Sequence, residues 1–304
     1  MTTLKGQNFR ILSYDTTAAK YKVIGMASNC TVTLTNNTED ATHKDVVGSA
    51  AMPVMMSQSW QVSVESLNVS DTAAMLAAIK AFTPFTLMWD ETNVADNQTN
   101  EGAGFARTGQ AYLTDAVFSF NNRENSTKSL QFTGSGPLSD GVTSDMTDTI
   151  AIGSYTKGQF VRLFLSSDNT AAASAVVAAA TQLSLHVSVT LEPATTKDTT
   201  GNWEVQEPTG LSYDITSQAL MRSNDTITSA VSGKDLAAIE AIYEAATPVK
   251  WEIANVSGAN QRTKGTVIVS GSALVQTLTL NGPNRANAEY TTNLQGYGPY
   301  VLAA

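Results

Sequence analysis

Lys157-Gly158-Gln159 restates Lys5-Gly6-Gln7, and the restatement continues along the rest of the chain. Asp15-Thr16-Thr17-Ala18-Ala19 stands over Asp168-Asn169-Thr170-Ala171-Ala172, Val23-Ile24 over Val176-Val177, and Trp60-Gln61-Val62 over Tyr213-Asp214-Ile215, each at an offset of 153. Further on, Thr83-Pro84-Phe85 answers to Thr247-Pro248-Val249 at 164, and Gly134-Ser135-Gly136-Pro137 to Gly296-Tyr297-Gly298-Pro299 at 162. A long internal period constrains the fold more than any local propensity, because both copies must reach the same structure from the same pattern. The offset changes where loops are expected. Two tandem domains follow, at 1–140 and 157–304, joined by a Ser-, Asp-, Thr- and Gly-rich linker at 141–156. A chain of 304 residues has the length for two such domains, each able to bury its own core.

Within each copy the apolar pattern has mostly period two, which predicts strands. Cys30, Val32 and Leu34 alternate with Thr31, Thr33 and Thr35; Trp60, Val62 and Val64 alternate with Ser59, Gln61, Ser63 and Glu65. Further strands are predicted at 9–13, 85–90, 111–120 and 128–134, with counterparts at 249–253, 266–280 and 288–296. Residues 38–51 and 90–104 read as loops. One helix is predicted per copy, at 71–80 with Met75, Leu76 and Ile79 inward, and at 234–246 with Leu236, Ile239 and Tyr243 inward. Pro84 and Pro248 terminate them. The fold class is therefore mainly β with one flanking α-helix per domain, a β-sandwich or barrel in tandem.

The composition excludes several functions. Acidic residues outnumber basic ones 27 to 18, for a net charge of −9, and no Lys/Arg run is present. Tight binding of nucleic acid by phosphate neutralisation is thereby disfavoured. The lone cysteine, Cys30, has Leu183 as its counterpart and reads as core. His43 and His186 occupy non-equivalent positions without metal-ligand spacing. Ser135 sits between glycines, but its counterpart is Tyr297, so it is no nucleophile. Neither an enzyme, a cofactor nor a metal site is expected. The first residues carry no apolar signal segment and no stretch is long and apolar enough to span a membrane, so a chain that stays in the cell that makes it is expected.

Reading the outer faces in both copies gives Thr31, Thr33, Thr35, Ser59, Gln61, Ser63 and Glu65, then Ser184, His186, Ser188, Ser212, Asp214, Thr216 and Gln218. These are small, polar or acidic, and contain no Lys or Arg. An ordinary solvated strand face normally includes some lysine, so this one is expected to serve as a smooth, non-cationic surface. Met52, Met55 and Met56 flank Pro53 in an extended arm, where an adaptable apolar contact to a neighbouring subunit competes with core packing.

The segments Cys30-Thr31-Val32-Thr33-Leu34-Thr35-Asn36-Asn37-Thr38-Glu39-Asp40, Ser59-Trp60-Gln61-Val62-Ser63-Val64-Glu65, Phe85-Thr86-Leu87-Met88-Trp89-Asp90-Glu91 and Tyr112-Leu113-Thr114-Asp115-Ala116 resemble the major tail tube protein of long-tailed bacteriophages. The resemblance covers most of 1–140 and reaches 157–304 through the repeat. It implies a non-enzymatic virion protein whose strands join those of neighbours around a hollow tube, with hexameric rings stacked along the tail. Two domains per chain then imply a trimeric ring with pseudo-sixfold symmetry. The polar strand faces above are expected to line the lumen and Met52, Met55 and Met56 to touch the next ring. The implied partners are the chain itself, tape measure, tail terminator and baseplate hub proteins, and double-stranded DNA in transit without specific binding; no membrane is involved. Assembly is expected in the bacterial cytoplasm, with the product in the virion tail. Alternatives are a tube, baseplate or neck part of another injection machine, and an exported adhesin-like β-sandwich.

Overall fold

The computed structural model of the protein describes residues 6, 9–16, 19–45, 50–67, 72–91, 106–141, 156–199, 201–221, 233–257 and 263–302. The N-terminal half contributes β1 (Phe9–Asp15), β2 (Lys20–Val23), β3 (Ala27–Asp40), β4 (Pro53–Ser66), α1 (Thr72–Lys80), β5 (Phe85–Glu91), β6 (Arg107–Asn121) and β7 (Thr127–Asp140). A 3-10 turn at Gly158–Phe160 opens the C-terminal half. It continues as β8 (Val161–Leu165), β9 (Ala175–Val177), β10 (Ala180–Pro193), β11 (Gln206–Leu220), β12 (Gly233–Lys234), α2 (Leu236–Ala245), β13 (Val249–Ser257), β14 (Thr263–Asn281), β15 (Glu289–Gly296) and β16 (Val301–Leu302).

In the first half the hydrogen-bonded strand order is β2-β1-β5-β6-β7-β4-β3, and in the second it is β9-β8-β13-β14-β15-β11-β10. These are the same order. Registers correspond too: Leu34 faces Trp60 where Val187 faces Tyr213, and Phe85 faces Ala111 where Val249 faces Ala273. Even the β-bulge between Leu113 and Asp115 returns between Val275 and Thr277. Left-handed backbone recurs at Met26 and Ala179, at Phe82 and Ala246, and at Arg123 and Arg285.

Each half folds its sheet around aromatic residues and one helix. Trp60 is fully buried, tilted against Trp89 at 5.8 Å, and lies flat on Gly134, where a Cβ would come within 2.2 Å of the indole. Tyr213 repeats this against Gly296, at 2.6 Å, and packs on Trp251. A glycine is required because only a bare backbone lets the ring lie this close. Met75, Leu76 and Ile79 of α1 enter the core as the helical period predicts, and so does Ile239 of α2. The second inward residue of α2 is Ile242, whereas Tyr243 is exposed. The helix begins at Leu236 and not at Lys234, since Asp235 is its cap and accepts a 3.0 Å hydrogen bond from the Ala238 amide.

Other boundaries also shift. Residues 38–51, read as loop, are partly strand: β3 runs to Asp40 and β4 starts at Pro53, forming a long hairpin whose polar residues have no core contact to reveal them. The 90–104 loop lies mostly outside the described residues, although Asp90 itself is buried on β5. Most of the 141–156 linker likewise lies outside them. Cys30 is only half-buried, unlike Leu183, and burial pushes its thiol pKa up.

The halves are joined by sheet, not only by chain. Beyond the stretch of β6 that pairs with β5, its edge from Asp115 to Asn121 pairs antiparallel with β10, from Ser188 to Gln182. Gly158 seals one end of this joint. Its amide donates 2.9 Å to Glu124 O, and a Cβ there would lie 2.3 Å from the Asn121 carbonyl. At the other end, the Gln58 amide donates to the Asn202 carbonyl and the Gln58 carbonyl accepts from the Glu204 amide, a parallel bridge opposite Trp203. Tyr300 near the C-terminus is buried and donates a 2.6 Å hydrogen bond to Leu76 O of α1.

Candidate functional site

Pairing through the joint creates one continuous sheet in the order β3-β4-β7-β6-β10-β11-β15-β14. Alternation fixes its two sides. One side supplies the core. The other carries every residue singled out on the two predicted faces: Thr31, Thr33, Thr35, Gln61, Ser63, Glu65 and Ser212 are exposed, while Ser59, Ser184, His186, Ser188, Asp214, Thr216 and Gln218 are half-buried.

The structure adds to this face the outward residues of predicted strands that sequence reasoning had not placed on it. Gln61 faces Thr133 and Ser63 faces Gln131 on β7, and Gln131 faces Asp115 on β6. Asp214 faces Gln295 and Thr216 faces Asn293 on β15, and Asn293 faces Thr277 on β14. The signal was present in the alternation around Leu130 and Phe132, whose outward neighbours Ser129, Gln131 and Thr133 went unread. None of these added positions is Lys or Arg. The face is thus largely polar and weakly acidic, with Val117 of β6 an apolar member opposite His186.

His186 is the exception to passivity on this face. Its Nε2 lies 2.7 Å from Asp115 Oδ2 across the joint, and its Nδ1 lies 2.8 Å from Asp214 Oδ1 on the neighbouring strand. Partial burial disfavours the charged imidazole, but the hydrogen bonds and charges of both aspartates outweigh it, so its pKa is raised above the ordinary histidine value. Sequence spacing gave no sign of this role, because Asp115 belongs to the other copy and meets His186 only through sheet pairing. With both ring nitrogens engaged by carboxylates, the group is an ionic clasp. Among the described residues no cluster of three or more His, Cys, Asp or Glu is arranged to hold a metal ion.

The distal half of the β3–β4 hairpin exposes Met52, Val54, Met55 and Met56. Its base is braced by the C-terminal half: Ser57 Oγ donates 2.6 Å and Asn37 Nδ2 2.9 Å to Glu204 Oε1. Ser135, between its glycines, exchanges bonds with the Gln206 backbone, donating to its carbonyl and accepting from its amide. Trp60, Trp89 and Trp251 are all core residues. No described helix is long and apolar enough to cross a membrane.

Residues 157–302 match the family described as phage tail tube protein. The match falls on the copy that the sequence resemblance reached only through the repeat. No curated protein matches the chain. Among solved structures it is similar to the tail of an empty gene transfer agent particle refined with C6 symmetry, at 14% identity and a TM-score of 0.37, covering 46% of this chain and 100% of that one. The virion of a native gene transfer agent particle gives 14% identity and a TM-score of 0.34, over 49% of this chain and 99% of that one. The SPP1 tail tube gives 15% and 0.36, over 48% and 78%. Through residues 157–302, a little under half of its length, the chain is similar to the phage tail tube protein family.

Proposed function

We propose that the protein is a structural tail tube subunit built from two tandem tube domains, about 1–140 and 157–304, and that three chains close a ring of pseudo-sixfold symmetry. The observation that carries this reading is the continuous polar sheet β3-β4-β7-β6-β10-β11-β15-β14, which among the described residues leaves an open edge along β3 on one side and along Thr277–Asn281 of β14 on the other. Open edges in a sheet this long are normally blunted by charge, proline or a covering element. A closed ring consumes them without remainder.

In this reading the polar face is the lumen wall and the chain performs no chemistry. Double-stranded DNA presents about one phosphate charge per 1.7 Å of axis, so cationic side chains on the wall would hold it at every ring. A neutral to acidic wall lets it pass. Rings stack through the exposed Met52, Met55 and Met56 of the hairpin arm, with tape measure, terminator and hub proteins meeting the tube at its core and ends. The product belongs to the virion tail and assembles in the host cytoplasm. Negative-stain microscopy of the purified protein tests this: end views of hollow rings with three repeating chains are expected, and protein that stays monomeric at high concentration and on scaffolded assembly would overturn it.

A further inference from the structure

The joint inside the chain is a template for the joints left open at its two ends. We infer that β3 of one chain adds antiparallel to β14 of the next, with Thr33 opposite Thr279 and Thr35 opposite Thr277, in the register that β10 holds on β6. The partner is a second copy of this chain, and the inference rests on the ring reading above.

Both edges are available. Among the described residues β3 pairs with β4 alone, and the end of β14 from Thr277 to Asn281 pairs with β15 alone. The repeat offsets then convert the observed pairs, His186 with Val117 and Ser188 with Asp115, into Thr33 with Thr279 and Thr35 with Thr277. Burial shows what is missing. At the closed joint Val187, Leu185 and Phe118 are 1%, 2% and 0% exposed, whereas Leu34, the counterpart of Val187, is 61% exposed and Leu280, the counterpart of Phe118, is 55% exposed. The same apolar positions are present at both joints but covered at only one.

Gly6 supplies an independent observation. Its counterpart Gly158 is pressed against the β6–β7 turn, where a Cβ would overlap the Asn121 backbone, yet around Gly6 there is nothing within 4 Å. The groove beside it, lined by Gly6, Phe9, Arg10 and Ala27–Cys30, is open. The equivalent groove at Gly158 is occupied on one side by Phe120 and Asn122 from the other half. The next chain's β14–β15 turn, beginning at Gly282, fits the open groove as the β6–β7 turn fits the closed one. The Lys-Gly-Gln repeat therefore marks a docking point used once within the chain and once between chains.

The two joints differ in charge, which sets their order. Where the internal joint has His186, Asp115 and Asp214, the open one has Thr33, Thr277 and Gln61. Pairing β14 with a β10 would give His186 a threonine in place of Asp115, so like halves do not compete with the alternating arrangement.

Two experiments on the full chain test the register. In a Cys30→Ser background, Thr33→Cys with Thr279→Cys is expected to give covalent chain-to-chain species up to a closed trimer on copper–phenanthroline oxidation of assembled protein, while Thr35→Cys with Asn281→Cys stays monomeric on a denaturing gel. Gly6→Leu is expected to melt like wild type as an isolated chain and to lose ring formation at least tenfold. Rings that crosslink only in the control pair, or Gly6→Leu chains that ring normally, overturn this interface while leaving the tube reading standing. Failure of the wild type to form rings removes both.

Discussion

At the residue scale the clasp of His186 with Asp115 and Asp214 makes the joint between the two halves sensitive to pH. Its folded pKa is raised, so the stabilisation is fully present below the ordinary value of about 6.5 and is lost as pH rises through the raised value. The neutral ring must turn one lone pair toward a carboxylate, which weakens the joint. Asp115→Asn is expected to lower the His186 pKa, read by two-dimensional NMR of the imidazole, and to flatten the fall in melting temperature between mildly acidic and alkaline pH. An unmoved His186 titration would separate the two groups in solution. His186→Ala is expected to cost about 1–2 kcal/mol at mildly acidic pH, because the pairs are half-exposed and screened. Nothing in the sequence marked this histidine as a clasp, since equivalence with Thr33 made it look like a solvated strand position.

At the element scale the helices and turns carry more of the interdomain coupling than their size implies. Tyr300 reaches from the end of the C-terminal half to the Leu76 carbonyl of α1, fully buried, with Lys80 Nζ 5.9 Å from its ring centroid. Tyr300→Phe keeps the packing and leaves that contact without its donor, so a loss of about 1–2 kcal/mol is expected by chemical denaturation. A change below a few tenths would show that the carbonyl is satisfied without it. The long strands were legible from period two and α1 from its 3.6 period, whereas the short β2, β9, β12 and β16 hold too few residues to show a period. Strand ends were not legible either. In the β3–β4 hairpin the polar residues 36–40 pair with 53–58, whose apolar Val54, Met55 and Met56 are exposed, away from the core, so no alternation of apolar and polar residues marks them. In α2 the inward positions rotate to Ile239 and Ile242, because the sheet it covers, not its own apolar count, decides which stripe is buried.

At the scale of the whole molecule the polar face extends unbroken through both halves, and its use follows from what it lacks. Ser63→Lys with Thr291→Lys puts two cations on β4 and β15, neither facing β6, β10 or the core. Tubes of normal length are expected by microscopy, with DNA delivery reduced tenfold or more in an infectivity assay, since each ring would add phosphate contacts. Normal delivery would remove this face from the lumen wall.

The repeat, the strand period, the two helices and the lack of a recognisable catalytic motif were determined by the sequence alone, because each depends on residues close along the chain or on a comparison of the chain with itself. How the copies meet was decided only in three dimensions. The β6–β10 pairing sets Asp115 against His186 and Gly158 against Asn121 across separations that no periodicity spans. It also leaves Leu34, Leu280 and Gly6 uncovered at the two outer edges. Those exposures depend on which edge is filled within the chain, a property of the packed molecule, and they give the shared Lys-Gly-Gln its meaning as a docking point.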